Sequence, residues 1–87
     1  MIYIRKIGIM LVKDKEKYFL VKGNEVYELN KIAAKIFQLC NGNYSDKSII
    51  EKVGYEYKSV NKDLISKDVY DILQLFCDEG LLIKKEM

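Results

Sequence analysis

The chain predicts an α+β fold in which a three-stranded antiparallel sheet precedes three helices. Three observations carry that reading. Up to Leu29 the apolar residues fall in short β-branched and aromatic runs, separated by charged or glycine-bearing turns. At Asn30 the apolar spacing changes from that of a strand to that of a helix. Beyond it, Gly42, Gly54 and Gly80 divide the helical part into three pieces.

The first strand is expected over Lys6–Val12, rich in aliphatic side chains, with Asp14–Lys17 as a charged turn. Tyr18–Val21 is the second strand. Gly23-Asn24 between two such runs is a two-residue hairpin signal, and the third strand runs over Glu25–Leu29. Whether residues 1–5 form a strand or an arm is left open by their pattern. Asn30 caps the first helix, whose apolar stripe is Ile32, Ala33, Ile36, Phe37 and Cys40, and Gly42 is expected to end it in a left-handed conformation. Ser45 opens a shorter helix carrying Ile49, Ile50 and Val53, which Gly54 weakens or ends; Tyr55–Lys58 is ambiguous. Asn61 caps the third helix, with Ile65, Val69, Ile72, Leu73 and Phe76 as one stripe. Gly80 stops it, and Leu81-Leu82-Ile83 should pack back onto the core.

At 87 residues the chain has room for one domain, here taken as 1–87. With 49% hydrophobic and 32% charged residues it reads as a soluble globular protein. No apolar run reaches the roughly 18 residues of a membrane span, and Arg5 and Lys6 interrupt the apolar N-terminal stretch, so neither a membrane anchor nor a signal peptide is expected. Cys40 and Cys77 read as reduced thiols in a cytoplasmic protein. With no His and no CxxC pair there is no ligand set for a metal, and no cofactor is expected.

Catalysis finds little support. The absence of His removes the usual general base near neutral pH, and Ser45, Ser48, Ser59 and Ser66 have no base partner. The glycines sit singly at turns, strands and helix ends, so none builds a phosphate loop. Nucleic acid is a stronger rival, because three helices with a small sheet suit a winged helix-turn-helix whose last helix enters the major groove. That helix, however, carries Lys62 and Lys67 against Asp63, Asp68, Asp71, Asp78 and Glu79, and no Arg. A polyanion would be repelled.

The stretch Val26-Tyr27-Glu28-Leu29-Asn30, followed by Ala33-Ala34, Ile36 and Asn41-Gly42, resembles the PqqD-like family. Asp68-Val69, Ile72-Leu73 and Gly80-Leu81-Leu82 are similar to the family's final helix and its end, so the resemblance runs from about Lys6 to Ile83. Each motif consists of core or capping positions; their order and spacing make the pattern specific. The family includes RiPP recognition elements, which bind the leaders of ribosomally made, post-translationally modified peptides. The resemblance implies a winged-helix-like domain that holds a precursor's leader as a strand beside the third strand, with side chains in a groove against the third helix. It implies delivery to a maturation enzyme, such as a leader peptidase or a radical SAM protein, in a lasso peptide or radical SAM pathway. No enzyme domain is read before Met87, so that partner is expected to act in trans.

The residues support this mode independently. The third strand ends the meander, and an open strand edge invites pairing, either with a peptide or with a second copy of the chain. Four main-chain hydrogen bonds at about 1 kcal/mol each and two apolar anchors at about 2 kcal/mol each give ~8 kcal/mol gross, near micromolar affinity before ordering costs. Tyr27 and Leu29 should face inward, leaving Val26, Glu28 and the backbone from Glu25 for contact. On the third helix, with its core stripe centred on Val69, Ile72 and Phe76, Leu64, Asp68, Asp71 and Leu75 form one flank and Tyr70, Gln74 and Cys77 the other. The expected peptide-binding set is therefore Glu25, Val26, Tyr27, Glu28, Leu64, Lys67, Asp68, Asp71 and Leu75, with a leader Lys or Arg opposite Asp68 and Asp71. The alternatives are a winged-helix nucleic-acid-binding protein and a structural interaction module.

Overall fold

A computed structural model describes residues 1–86; Met87 lies outside the described residues. The elements are β1 (Ile2–Arg5), β2 (Ile9–Asp14), β3 (Lys17–Lys22), β4 (Glu25–Leu29), α1 (Lys31–Leu39), β5 (Asn41–Ser45), α2 (Asp46–Glu56), α3 (Lys62–Asp78) and β6 (Leu82–Lys85). Strands β2, β3 and β4 pair antiparallel in that order, which is the expected meander. It begins at Ile9 rather than Lys6, because Lys6 still donates its N–H to Leu81 O (3.1 Å) and Gly8, at φ 90°, turns the chain. Both hairpins have two-residue turns, flanked by the pairs Asp14↔Lys17 and Lys22↔Glu25. Such turns need positive φ; Gly23 supplies it at 58° without a Cβ to clash.

A second sheet, ordered β5-β1-β6, was not among the sequence expectations. Residues 2–5 form its central strand, pairing Tyr3 with Lys84 on one side and Ile2 with Ser45 on the other. Tyr3 is buried there. Gly42 has the left-handed φ expected of it, 87°, but α1 already ends at Leu39 with Cys40 as its cap. Gly42 instead serves the irregular register between β1 and β5, where three residues of β1 (2–4) oppose five of β5 (41–45).

The three helix starts match their capping residues. Asn30 Oδ1 accepts from Ala33 N (2.8 Å), Ser45 Oγ from Ser48 N (3.2 Å) and Asn61 Oδ1 from Asp63 N (2.8 Å). Gly54 does not end α2, which continues to Glu56. A Cβ at Gly54 would meet Ile65 Cδ1 at 4.0 Å, an ordinary van der Waals contact, so the helix tolerates the glycine and does not stop at it. Gly80, at φ 73°, does terminate α3, and Leu81 N returns to Phe76 O (2.8 Å).

One apolar cluster joins the layers: Leu20 from the meander, Ile36 and Phe37 from α1, Ile49 and Val53 from α2, and a stripe from α3. On α3 the fully buried positions are Ile65, Val69, Leu73 and Phe76; Ile72 is half-buried, so the core face is centred nearer Leu73 than expected. Phe37 and Phe76 meet edge to face, with centroids 5.6 Å apart. Leu81 and Leu82 are buried as expected, while Ile83 points outward from β6. The Tyr70–Gln74 flank of α3 is tied down: Tyr70 Oη donates to Asp46 (3.0 Å), and Gln74 Oε1 accepts from Lys84 Nζ (3.2 Å). On the opposite flank Leu75 stands beside β4.

Candidate functional site

Strand β4 lies at the edge of its sheet, and among the described residues no strand pairs with its outer side. The register determines which backbone groups that side presents. Lys22↔Glu25 flanks a two-residue turn and is therefore a hydrogen-bonded pair, so Leu20↔Tyr27 and Tyr18↔Leu29 are hydrogen-bonded as well. Val26 and Glu28, the intervening residues, direct their N–H and C=O groups outward. Four main-chain groups thus line an open edge about 17 Å long. The side chains alternate as the sequence requires: Val26 and Glu28 are exposed, Tyr27 and Leu29 half-buried.

Beside this edge lies a cavity of about 150 Å³. Tyr27, Glu28 and Leu29 form its β4 wall, Leu75, Phe76 and Glu79 its α3 wall, and Leu81 closes it from behind. Further along, Asp68 lines a separate void of about 50 Å³ with Ile32, just past the end of β4. The last turn of α3 and its cap, Leu75 to Glu79, therefore stand beside β4, while Asp68 borders α1 rather than the strand. Larger hollows, of about 550 and 500 Å³, flank the exposed Tyr55 on α2, but no strand residue borders either.

Of the residues singled out in the sequence, the cavity gathers Tyr27, Glu28 and Leu75. Glu25 reaches its mouth by accepting a hydrogen bond from Tyr27 Oη. Val26 contributes backbone to the edge and a side chain to the sheet's outer face. Leu64, Lys67, Asp68 and Asp71 lie one to three turns nearer the start of α3. There Lys67 Nζ sits 2.8 Å from Asp71 Oδ2, so Asp71 already has a counter-charge. Sequence reading missed Leu29, Phe76, Glu79 and Leu81 as cavity walls. Glu79 was within reach of it, lying one helical step beyond Leu75 on the flank that holds Asp68 and Asp71.

The mouth of the cavity carries two carboxylates without ion-pair partners among the described residues, Glu25 and Glu79, with the Lys22 and Lys6 ammonium groups nearby at Gly80. Tyr27 Oη approaches Glu79 Oε2 at 3.4 Å as well as Glu25, and Lys22 Nζ donates to the backbone Glu79 O (3.1 Å) rather than to its carboxylate. The hydrogen bond to Glu25 is the main cause that pushes the Tyr27 phenol up to about 12, with burial and the two negative charges adding to it. A raised phenol pKa favours the folded state at every pH below the unfolded value of 10.0, and this contribution fades as pH climbs toward 12. Glu25→Gln removes the largest cause, so the Tyr27 ring signals in an NMR titration should move at distinctly lower pH in the variant.

Neither cysteine is poised for chemistry. Burial, followed by the field of Cys77, pushes the Cys40 thiol up to about 12, and its Sγ donates to Ile36 O (3.1 Å). Burial also raises Cys77. Among the described residues there is no group of three potential metal ligands, and no helix is long and apolar enough to cross a membrane.

The family model described as coenzyme PQQ synthesis protein D (PqqD) matches residues 9–82, from the start of β2 to the start of β6. The chain belongs to the PqqD family. Three solved structures share its fold. TbiB1 in complex with the TbiA(beta) leader peptide is 16% identical, with a TM-score of 0.80 over 97% of this chain and 99% of that one. Lasso peptide synthetase B1 complexed with the leader peptide is 19% identical, with a TM-score of 0.81 over 97% of this chain and 100% of that one. The PqqD truncation of Methylobacterium extorquens PqqCD, described as a functional, stand-alone RiPP recognition element, is 19% identical at a TM-score of 0.80, over 95% of this chain and 89% of that one. No curated protein matches the chain. The PqqD match begins after β1, while the structural matches cover 95–97% of the chain.

Proposed function

We propose that this PqqD-family protein binds the leader segment of a ribosomally made precursor peptide as an added strand on β4. It then presents the precursor to a separate modifying or leader-cleaving enzyme. One observation carries the reading: the open edge at Val26 and Glu28 runs beside an apolar cavity closed by α3. The backbone supplies hydrogen bonds of any sequence, and the cavity selects side chains. The leader-bound state of two structures with the same fold supports the same use of it here. Residues 1–87 then act as one recognition domain, with a role in recognition rather than catalysis. Two free thiols suit a reducing, cytoplasmic setting.

A fluorescence-anisotropy titration tests this, using synthetic peptides from short reading frames beside the gene, with a mixed-sequence DNA duplex in parallel. One of the peptides should bind at micromolar concentration, and the duplex should not compete. Leu75→Asp should weaken that binding about tenfold or more by placing a charge in the cavity wall. Its melting temperature should change little, because Leu75 is 55% exposed. Binding of the duplex without any peptide would instead favour a nucleic-acid role.

A further inference from the structure

The groove along β4 is electrically uneven, and the imbalance lies at the opposite end from the one the sequence favours. At the Asp68–Asp71 end the nearby lysine is already engaged: Lys67 Nζ lies 2.8 Å from Asp71. At the other end, Glu25 and Glu79 converge on the Tyr27 hydroxyl from β4 and α3. Among the described residues neither of these carboxylates has an ion-pair partner within 4.0 Å. Lys22, beside them, directs its ammonium to the carbonyl at the end of α3, and the Lys6 ammonium also lies by Gly80, but neither pairs with a carboxylate among the described residues. Lys17 reaches only Glu28, at 4.0 Å on the sheet's outer face.

The cavity adjoins this acidic mouth and shares Tyr27 and Glu79 with it. Its volume, about 150 Å³, and its Leu29, Leu75 and Leu81 walls suit a branched aliphatic side chain. On a strand added to β4, side chains facing α3 recur every second residue, about 7 Å apart. When one of them fills the cavity, the next on that face stands at the Glu25–Glu79 mouth.

The geometry points to a leader segment that seats an aliphatic residue in this cavity and places a Lys or Arg two positions away, against Glu25 and Glu79. This specificity rests on the strand-addition reading above. The cation would bridge two carboxylates from different elements, so it registers the peptide along the edge as well as attracting it. A one-residue slip would turn both side chains away from α3.

The test is selection of displayed random dodecapeptides against the full chain, followed by titration of one selected peptide. The selected pool should be enriched in an aliphatic residue with Lys or Arg two positions away. Against the double variant Glu25→Gln/Glu79→Gln, the chosen peptide should bind about fivefold more weakly at low salt, with a flatter salt dependence. Both carboxylates are on exposed residues, and an unchanged thermal melt would confirm that the variant folds. Unchanged affinity in that variant overturns the inference. So does a loss that appears instead in Asp68→Asn/Asp71→Asn, which would place the cation at the far end. If no pool emerges, or if the selected peptide binds Val26→Pro as well as the wild type, strand addition itself fails and the specificity falls with it.

Discussion

Val26→Pro sharply weakens peptide capture and leaves the protein folded, whereas Tyr27→Pro, one residue along, unfolds the meander. The contrast follows from the register. Val26 is the partner of Val21 in a pair without mutual hydrogen bonds, so its N–H points to the open side and proline removes nothing from the β3–β4 ladder. It does remove one of the four outward main-chain groups and sets a ring against the incoming backbone. The loss should be at least about tenfold, more than a single neutral hydrogen bond is usually worth, because the ring also spoils its neighbour's bond. Tyr27 N–H, by contrast, bonds across to Leu20, the buried centre of the meander. Proline there costs about 3 kcal/mol or more in a domain of modest stability. Anisotropy titration and circular dichroism melts of the two variants give both readouts.

Phe37→Ala leaves the chain largely unfolded at 37 °C. Phe37 is 1% exposed, packs edge to face on Phe76 and carries the Arg5 guanidinium over its ring at 5.9 Å. It therefore joins α1, α3 and β1 at one point. Truncating a buried Phe costs about 3–5 kcal/mol, and a chain of 87 residues has a total stability of the same order. Tyr55→Ala, at a side chain 73% exposed on α2, should stay within about 0.5 kcal/mol of the wild type. Urea denaturation followed by circular dichroism separates the two. Because Phe76 also walls the cavity, loss of Phe37 should weaken peptide binding even in the fraction that remains folded.

The parts of the fold that were legible in the sequence are those set by local chemistry. Gly23-Asn24 fixes a hairpin through a required φ, Asn30, Ser45 and Asn61 cap helices with their own side chains, and Gly80 stops α3. The second sheet was not legible, because its strands are defined by distant partners. Asn41-Gly42-Asn43-Tyr44-Ser45 has the composition of a turn and becomes a strand only because β1 lies beside it. Leu82–Lys85 likewise pairs with Ile2–Arg5, nearly a whole chain length away. Gly54 misled because a single glycine inside a helix is tolerated, and α2 runs on through it to Glu56. At the candidate site, alternation along Glu25–Leu29 identified the outward pair Val26 and Glu28. Of the named helix residues the cavity takes in Leu75, while Leu64, Lys67, Asp68 and Asp71 lie nearer the start of α3. The placement of Leu75 and Glu79 beside Tyr27 depends on how α3 crosses β4, which no local pattern encodes.

Residue-resolved amide exchange by NMR, with and without a selected peptide, tests the open edge most directly. In the free protein the Val26 and Glu28 amides should exchange like solvated ones, while Tyr27 and Leu29 stay protected. Saturating peptide should protect Val26 and Glu28 and slow exchange along α3 from Asp68 to Asp78. Protection of Val26 and Glu28 before any peptide is added, or free exchange at both under saturation, would contradict the account.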